Sequence, residues 1–124
     1  MCGRFAFFSP REAIQEAFGH GAPDADRPRY NIAPTQSVHA LVAGDTAKPE
    51  WRMLRWGLIP HWAKDRAIGN RLINARSETA DEKPSFRAAF KRRRCLIPAD
   101  GFYEWQKTGS SKTPMFIHMQ ERKL

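Results

Sequence analysis

The chain opens on an aromatic run, Gly3-Arg4-Phe5-Ala6-Phe7-Phe8, that reads as a short strand. Ser9-Pro10-Arg11-Glu12 then carries the pattern of a helix start, with Ser at the cap, Pro at the first helical position and Glu three residues after the cap. Ala13, Ile14, Ala17 and Phe18 give the next two turns one apolar stripe, and Gly19 supplies a stop. Residues 19–29 are rich in Gly, Pro and Asp and predict a loop. Tyr30 to Thr35 reads as extended chain closed by Pro34, and the weak alternation from Ser37 to Ala43 predicts a strand that turns at Gly44-Asp45. Trp51 to Ile59 is the next strand. It places Trp51, Met53 and Arg55 on one face and Arg52, Leu54, Trp56 and Leu58 on the other, so both faces are expected to be partly buried.

Pro60 to Asp65 is a loop with an aromatic ring beside positive charge, and Leu72 to Arg76 reads as a short strand. Pro84 to Phe90 predicts a short helix that buries Phe86 and Phe90 at i, i+4. Arg94 to Ile97 is extended as far as Pro98. Gly101 to Gln106 and Met115 to Met119 form a hairpin joined across Lys107 to Pro114. Many short strands and a few short helices predict a single α+β domain over 1–124, dominated by sheet, with a barrel-like closure as one form open to it. Only Gln120 to Leu124 follow the last strand. A sheet stopping there leaves an edge to be covered, by a longer parent chain, by a second copy in a homo-oligomer, or by strand exchange.

Composition changes this picture little: 41% hydrophobic, 27% charged, and no apolar run near the ~20 residues of a membrane span. Arg4, Arg11 and Glu12 interrupt any signal-peptide pattern, so the expected setting is cytoplasmic, with no membrane partner. Cys2 and Cys95 do not make a disulfide framework, and in a reducing compartment a bridge between them is not expected. His20, His39, His61 and His118 show no paired spacing with either cysteine, so neither a metal nor another cofactor is expected. Charge is more telling. The net +8 lies entirely within residues 48–94, which hold thirteen Lys/Arg against five Asp/Glu, while the remainder balances at eight against eight. Lys91-Arg92-Arg93-Arg94 alone fits a solvated helix end. With Arg52, Arg55, Lys64, Arg66, Arg71 and Arg76 in the same block, nucleic acid becomes the favoured partner.

Candidate chemistry begins at Met1-Cys2-Gly3-Arg4. Removal of Met1 would leave Cys2 with an α-amine of reference pKa ~7.7–8.0 beside a thiol near ~8.5. Such a pair attacks an aldehyde through nitrogen and closes a five-membered ring through sulfur; the alternative is an ordinary early residue of a first strand. Asn74 and Arg76, two apart in the predicted strand, would share a face suited to an oxyanion, a phosphate or a sugar hydroxyl, or form an ordinary surface pair. Glu104, within Phe102-Tyr103-Glu104-Trp105, is either a general acid/base or half of a buried salt bridge with an arginine. Trp56 and Trp105 read as core. Trp62, in a loop after Pro60-His61, is the candidate to stack on a nucleic-acid base.

Six motifs then occur in order: Met1-Cys2-Gly3-Arg4-Phe5, Tyr30-Asn31-Ile32-Ala33-Pro34-Thr35, Arg55-Trp56-Gly57-Leu58-Ile59-Pro60, Ile73-Asn74-Ala75-Arg76-Ser77-Glu78, Arg94-Cys95-Leu96-Ile97-Pro98 and Gly101-Phe102-Tyr103-Glu104-Trp105. Together they resemble the SOS-response-associated peptidase (SRAP) family across nearly the whole chain. The resemblance implies a sensor of abasic sites in single-stranded DNA that forms a covalent thiazolidine crosslink through Cys2 once Met1 is gone, with an abasic-site lyase side activity. It implies Cys2 as nucleophile, Asn74 and Glu104 as its active-site partners, and Arg4, Arg76 and Thr35 among the DNA contacts. Non-covalent binding of single-stranded DNA and a cysteine-dependent (auto)peptidase are the alternatives. Family members are longer and carry a histidine in a Thr-x-His segment downstream of the Glu-Trp motif. The chain ends before that segment, none of its four histidines takes the role, and truncation at the C-terminus is the expectation.

Overall fold

Phe5–Phe7 forms a three-residue strand, β1, within the run expected to be a strand, and all three side chains are buried. The computed structural model describes residues 2–23, 27–44, 48–121 and 123–124, so the Asp45 half of the expected Gly44-Asp45 turn lies outside the described residues. The chain folds as two compact units, Met1–Ala33 with Pro98–Leu124 and, between them, Pro34–Ile97.

In the first unit β1 is flanked on both sides. It pairs antiparallel with β2 (Arg29–Ile32) and with β6 (Gly101–Thr108), and β6 pairs in turn with β7 (Ser111–Ile117), giving the order β2-β1-β6-β7. Phe5 is the register point, opposite Ile32 on one side and Phe102 on the other. The hairpin is tighter than expected: Thr108 pairs with Ser111 across a two-residue turn, in which Gly109 takes a positive φ of 61°. That turn geometry suits the right-handed twist of the strands it joins. Pro114 stands opposite Trp105 and is tolerated because β7 is an edge with no ladder partner on its far side among the described residues.

Helix α1 (Arg11–Phe18) buries Ile14 and ends at Gly19, whose left-handed backbone lets its N–H reach the Gln15 carbonyl. The expected Ser9 cap is not made. Pro10 occupies the cap position, and the Ser9 hydroxyl donates to the Asp100 Oδ1 instead. The buried Asp100 carboxylate also accepts the Phe8 N–H at 2.6 Å and the Ser9 N–H at 3.0 Å. Three donors on one carboxylate outcompete the local cap, because charge-assisted bonds inside a protein are the stronger ones.

The second unit is built on β3 (Ser37–Ala43), which buries Val38, Ala40 and Leu41, in the bounds the alternation predicts. It pairs antiparallel with β4 (Pro49–Arg55) in unbroken register, and with the short β5 (Cys95–Leu96). Among the described residues both sheets are open, so the α+β, sheet-dominated class holds without a closed barrel. β4 departs from expectation twice. It is an edge of its sheet, with Met53 53% and Leu54 37% exposed rather than buried. It also stops at Arg55, short of Ile59. Gly57 takes a φ of 131°, and a Cβ there would collide with the Gly69 carbonyl, so the backbones of the two glycines approach where a strand could not continue. Gly69 closes a 3-10 helix over Arg66–Asn70 that Asp65 caps through the Ala67 N–H at 2.8 Å.

Helix α2 spans only Arg87–Arg92, with Phe86 at its cap, and the expected burial of Phe90 is not met. Phe90 is 45% exposed and lies beside the Arg94 guanidinium, 5.9 Å from its ring centre.

Candidate functional site

Cys2 is half-buried just ahead of β1, and its thiol donates to the Arg4 carbonyl at 3.6 Å. The same carbonyl accepts the Tyr103 N–H at 2.9 Å, so the neighbour of Glu104 on β6 is tied to the chain two residues after Cys2. Tyr103 is fixed further by its hydroxyl on the Tyr30 carbonyl at 3.0 Å and by a ring contact with Phe116. Burial pushes the Cys2 thiol up; the Glu104 carboxylate adds to that rise, and a backbone hydrogen bond at Arg4 works against it. The Nε of Arg4 is buried and has no hydrogen-bond partner among the described residues. A buried donor left unsatisfied costs about 1–3 kcal/mol.

In the second unit the motif residues are held by backbone contacts. Thr35 has a φ of 73°, a left-handed conformation unusual for a β-branched residue. Its N–H donates to the Trp56 carbonyl at 2.9 Å, and its carbonyl accepts from the Arg55 guanidinium at 3.1 Å. The other arm of that guanidinium donates to the Asn70 side chain at 2.6 Å, so Arg55 clamps the Thr35 turn to the Arg66–Asn70 helix. The Trp56 indole N–H donates to the Ile73 carbonyl at 2.8 Å, which fixes the peptide immediately before Asn74.

Asn74 and Arg76 do not lie on a strand. Residues 72–76 are irregular, between the Arg66–Asn70 helix and a 3-10 turn at Ser77–Thr79, so the expected shared face based on strand alternation does not apply. The Leu72 and Ile73 carbonyls bond to the Leu58 N–H and the Trp56 indole rather than to a neighbouring strand. Asn74 is half-buried and Arg76 exposed.

Trp62 is 49% exposed and forms one wall of a groove of about 460 Å³ that also carries Lys64, Ile68, Asn70 and Arg71. An exposed indole with cations alongside suits a stacked base and a tracked backbone. Trp105, expected in the core, is 45% exposed because β6 runs on past the buried part of its sheet. The basic block is also smaller than its count: Arg52 pairs with Glu50, and Arg55 is committed to Thr35 and Asn70. Neither Cys2 nor Cys95 is in a disulfide. Among the described residues no three His, Cys, Asp or Glu side chains gather as metal ligands, and no helix is long and apolar enough to cross a membrane.

The site residues expected from sequence thus divide between the units, with Cys2, Arg4 and Glu104 in the first and Thr35, Trp62, Asn74 and Arg76 in the second. Two positioning residues do not stand out in the sequence. Arg55 reads there as free charge and Trp56 as core, although both belong to the Arg55-to-Pro60 motif, which is the one signal that marks them.

The sequence profile of the family described as SOS response associated peptidase (SRAP) matches residues 1–124. The chain belongs to the SRAP family. This SRAP chain is 45% identical to the abasic site processing protein YoqW of Bacillus subtilis (strain 168) over 128 aligned positions, covering 100% of the chain and 57% of that protein. It is 34% identical to the abasic site processing protein HMCES of Xenopus tropicalis, covering 99% of the chain and 44% of that protein. The SRAP chain thus spans about half the length of these relatives. A crystal structure of a phage-related protein from Bordetella bronchiseptica superposes with a TM-score of 0.77 at 30% identity, over 96% of the chain and 56% of the other. A second B. bronchiseptica structure, at 24% identity and a TM-score of 0.79, supports the fold.

Proposed function

We propose that this SRAP chain captures abasic sites in single-stranded DNA by covalent reaction at Cys2. The observation that carries the reading is the tie between Cys2 and β6, where the Arg4 carbonyl accepts from both the Cys2 thiol and the N–H of Tyr103 beside Glu104, in a chain whose relatives are named for abasic site processing. With Met1 removed, the Cys2 α-amine adds to the aldehyde carbon of the open abasic sugar. The carbinolamine loses its oxygen as water and leaves an imine. The Cys2 sulfur then adds to the imine carbon, and its proton passes to nitrogen, so aldehyde and aminothiol give a thiazolidine and one water. Glu104 is the acid/base of this sequence, delivering a proton to the departing oxygen and assisting sugar ring opening. A raised thiol pKa keeps sulfur protonated while the amine attacks first.

Asn74 holds the amine or the sugar by hydrogen bonds, in a loop kept in shape by the Trp56 indole. Arg4, Arg76, Thr35 and Trp62 contact the DNA in this reading. While the imine persists, its acidified neighbouring proton permits β-elimination of the 3′ phosphate, a lyase side reaction that ring closure suppresses.

Incubation of the 124-residue chain with an abasic single-stranded oligonucleotide, followed by intact-mass measurement, tests this directly. The expected product is the chain without Met1 plus the oligonucleotide minus one water, and Cys2→Ala abolishes it. An undiminished adduct in Cys2→Ala refutes the reading. Equal binding of intact and abasic strands with no adduct would favour a binding module built on the Trp62 groove.

A further inference from the structure

We propose that the surface cavity beside α2 is a second DNA contact, which takes the sugar-phosphate backbone of the single strand as it runs on from the lesion. The proposal rests on the capture reading for its first contact and on independent observations for its second. The cavity measures about 600 Å³, and its walls carry Arg87, Phe90, Lys91, Arg92 and Arg94 against a single carboxylate, Asp81. Among the described residues no ion pair engages any of these four cations. Their charge is therefore available, unlike that of Arg52 and Arg55.

Helix stabilisation does not account for the cluster. Cations in the last turn suit the macrodipole, which covers Lys91 and Arg92. Arg87 sits at the first position of α2, where the dipole opposes a cation, and Arg94 lies beyond the helix end. Both nevertheless face the same cavity. Between them Phe90 is 45% exposed, with one contact to the Arg94 guanidinium, and its remaining ring surface is open to a planar base. Cations set around an exposed ring are what a single strand needs, since a phosphate row and a base are then engaged together.

Chain geometry links this surface to the first. From Arg76 to Arg93 the backbone is a relay of turns: Thr79 N–H to the Arg76 carbonyl, Lys83 to Thr79, Arg87 to Lys83, Phe90 to Phe86 and Arg93 to Ala89. A phosphate held at Arg76 and one held at α2 are thus joined through hydrogen-bonded turns rather than a slack loop.

The test measures affinity against salt for intact single strands of about five and about twenty nucleotides, bracketing the ~4–16 nucleotides typical of single-strand sites. Adduct formation is followed on abasic versions of the same strands. The double variant Arg92→Ala/Arg94→Ala is expected to flatten the slope of log K against log salt for the long strand by roughly 1.4, about 0.7 for each phosphate no longer neutralised. Arg92→Lys/Arg94→Lys should restore most of the slope, and Phe90→Ala should weaken binding of the long strand without changing its slope. Adduct yield on the short strand stays as in the parent. An unchanged long-strand slope in a variant with parental circular dichroism overturns the proposal. So does an effect confined to double-stranded DNA, because it would assign the cavity to duplex. If the parent forms no adduct on any strand while the α2 variants still bind the long strand more weakly, the capture reading fails and the second contact stands.

Discussion

At the scale of single residues, the proposed chemistry rests on Cys2 and Glu104. A thiol held up by burial and by a neighbouring carboxylate is less ionised at neutral pH than a free cysteine, so it alkylates more slowly there and catches up as pH rises through its own pKa. Glu104→Gln removes one of the two raising influences. The expected outcome is a thiolate that forms at lower pH, seen as faster Cys2 alkylation near pH 7 in a Cys95→Ser background; an unshifted profile would disconnect the two residues. The adduct should nevertheless form more slowly in Glu104→Gln, because the acid that assists loss of water is gone. Opposite effects on alkylation and capture separate an acid/base role from a purely electrostatic one. Arg55 and Trp56 act differently. They touch backbone at Thr35 and Ile73 and shape the turns from which Thr35 and Asn74 project.

Among the elements, β1 depends on a residue far from it in sequence. Asp100 accepts from Phe8 and Ser9 and so fixes the passage from β1 into α1. Asp100→Ala orphans these donors in a buried place and should cost about 3 kcal/mol of stability, measured by urea unfolding, with Asp100→Asn falling between it and the parent. A cost below about 0.5 kcal/mol would mean that water or backbone takes over the bonds. The same carboxylate explains why the fate of Ser9 is not legible in the sequence: a competitor 91 residues on carries no local signature. Alternation over Ser37 to Ala43 and the glycine stop at position 19 are legible because they are local consequences of backbone period and φ. The strand expected at Leu72 to Arg76 fails for the converse reason, since apolar alternation allows a strand but cannot supply the neighbour it must pair with.

For the whole molecule, charge and fold divide together. The Pro34–Ile97 unit holds thirteen Lys/Arg against six Asp/Glu, and the other unit eight against seven. Nearly all the attraction for a polyanion thus belongs to one unit, and the candidate nucleophile to the other. A division at Pro34 and Pro98 is not visible in the sequence, where both prolines look like ordinary turn residues. The six motifs, in contrast, make the family readable, because a motif needs no knowledge of distance. Salt then separates binding from capture. Raising it from about 50 to 200 mM should lower the affinity for intact single strands by a large factor and slow adduct formation in step. The final adduct yield should hardly change, since a covalent product is not released with its counterions; a yield that collapses with salt would point to reversible holding alone.

The pairing of Phe5 with Phe102 also orders events in time. The β6–β7 hairpin closes over a two-residue turn and can form on the microsecond scale, but β1 cannot meet it until position 102 has been synthesised. Cys2 is synthesised well before Glu104, which arrives with β6. Until then, with synthesis at ~5–20 residues per second, the β1 segment is unpaired on that side. In the capture reading, Met1 can therefore be trimmed before β6 flanks β1, and Glu104 arrives only with that strand.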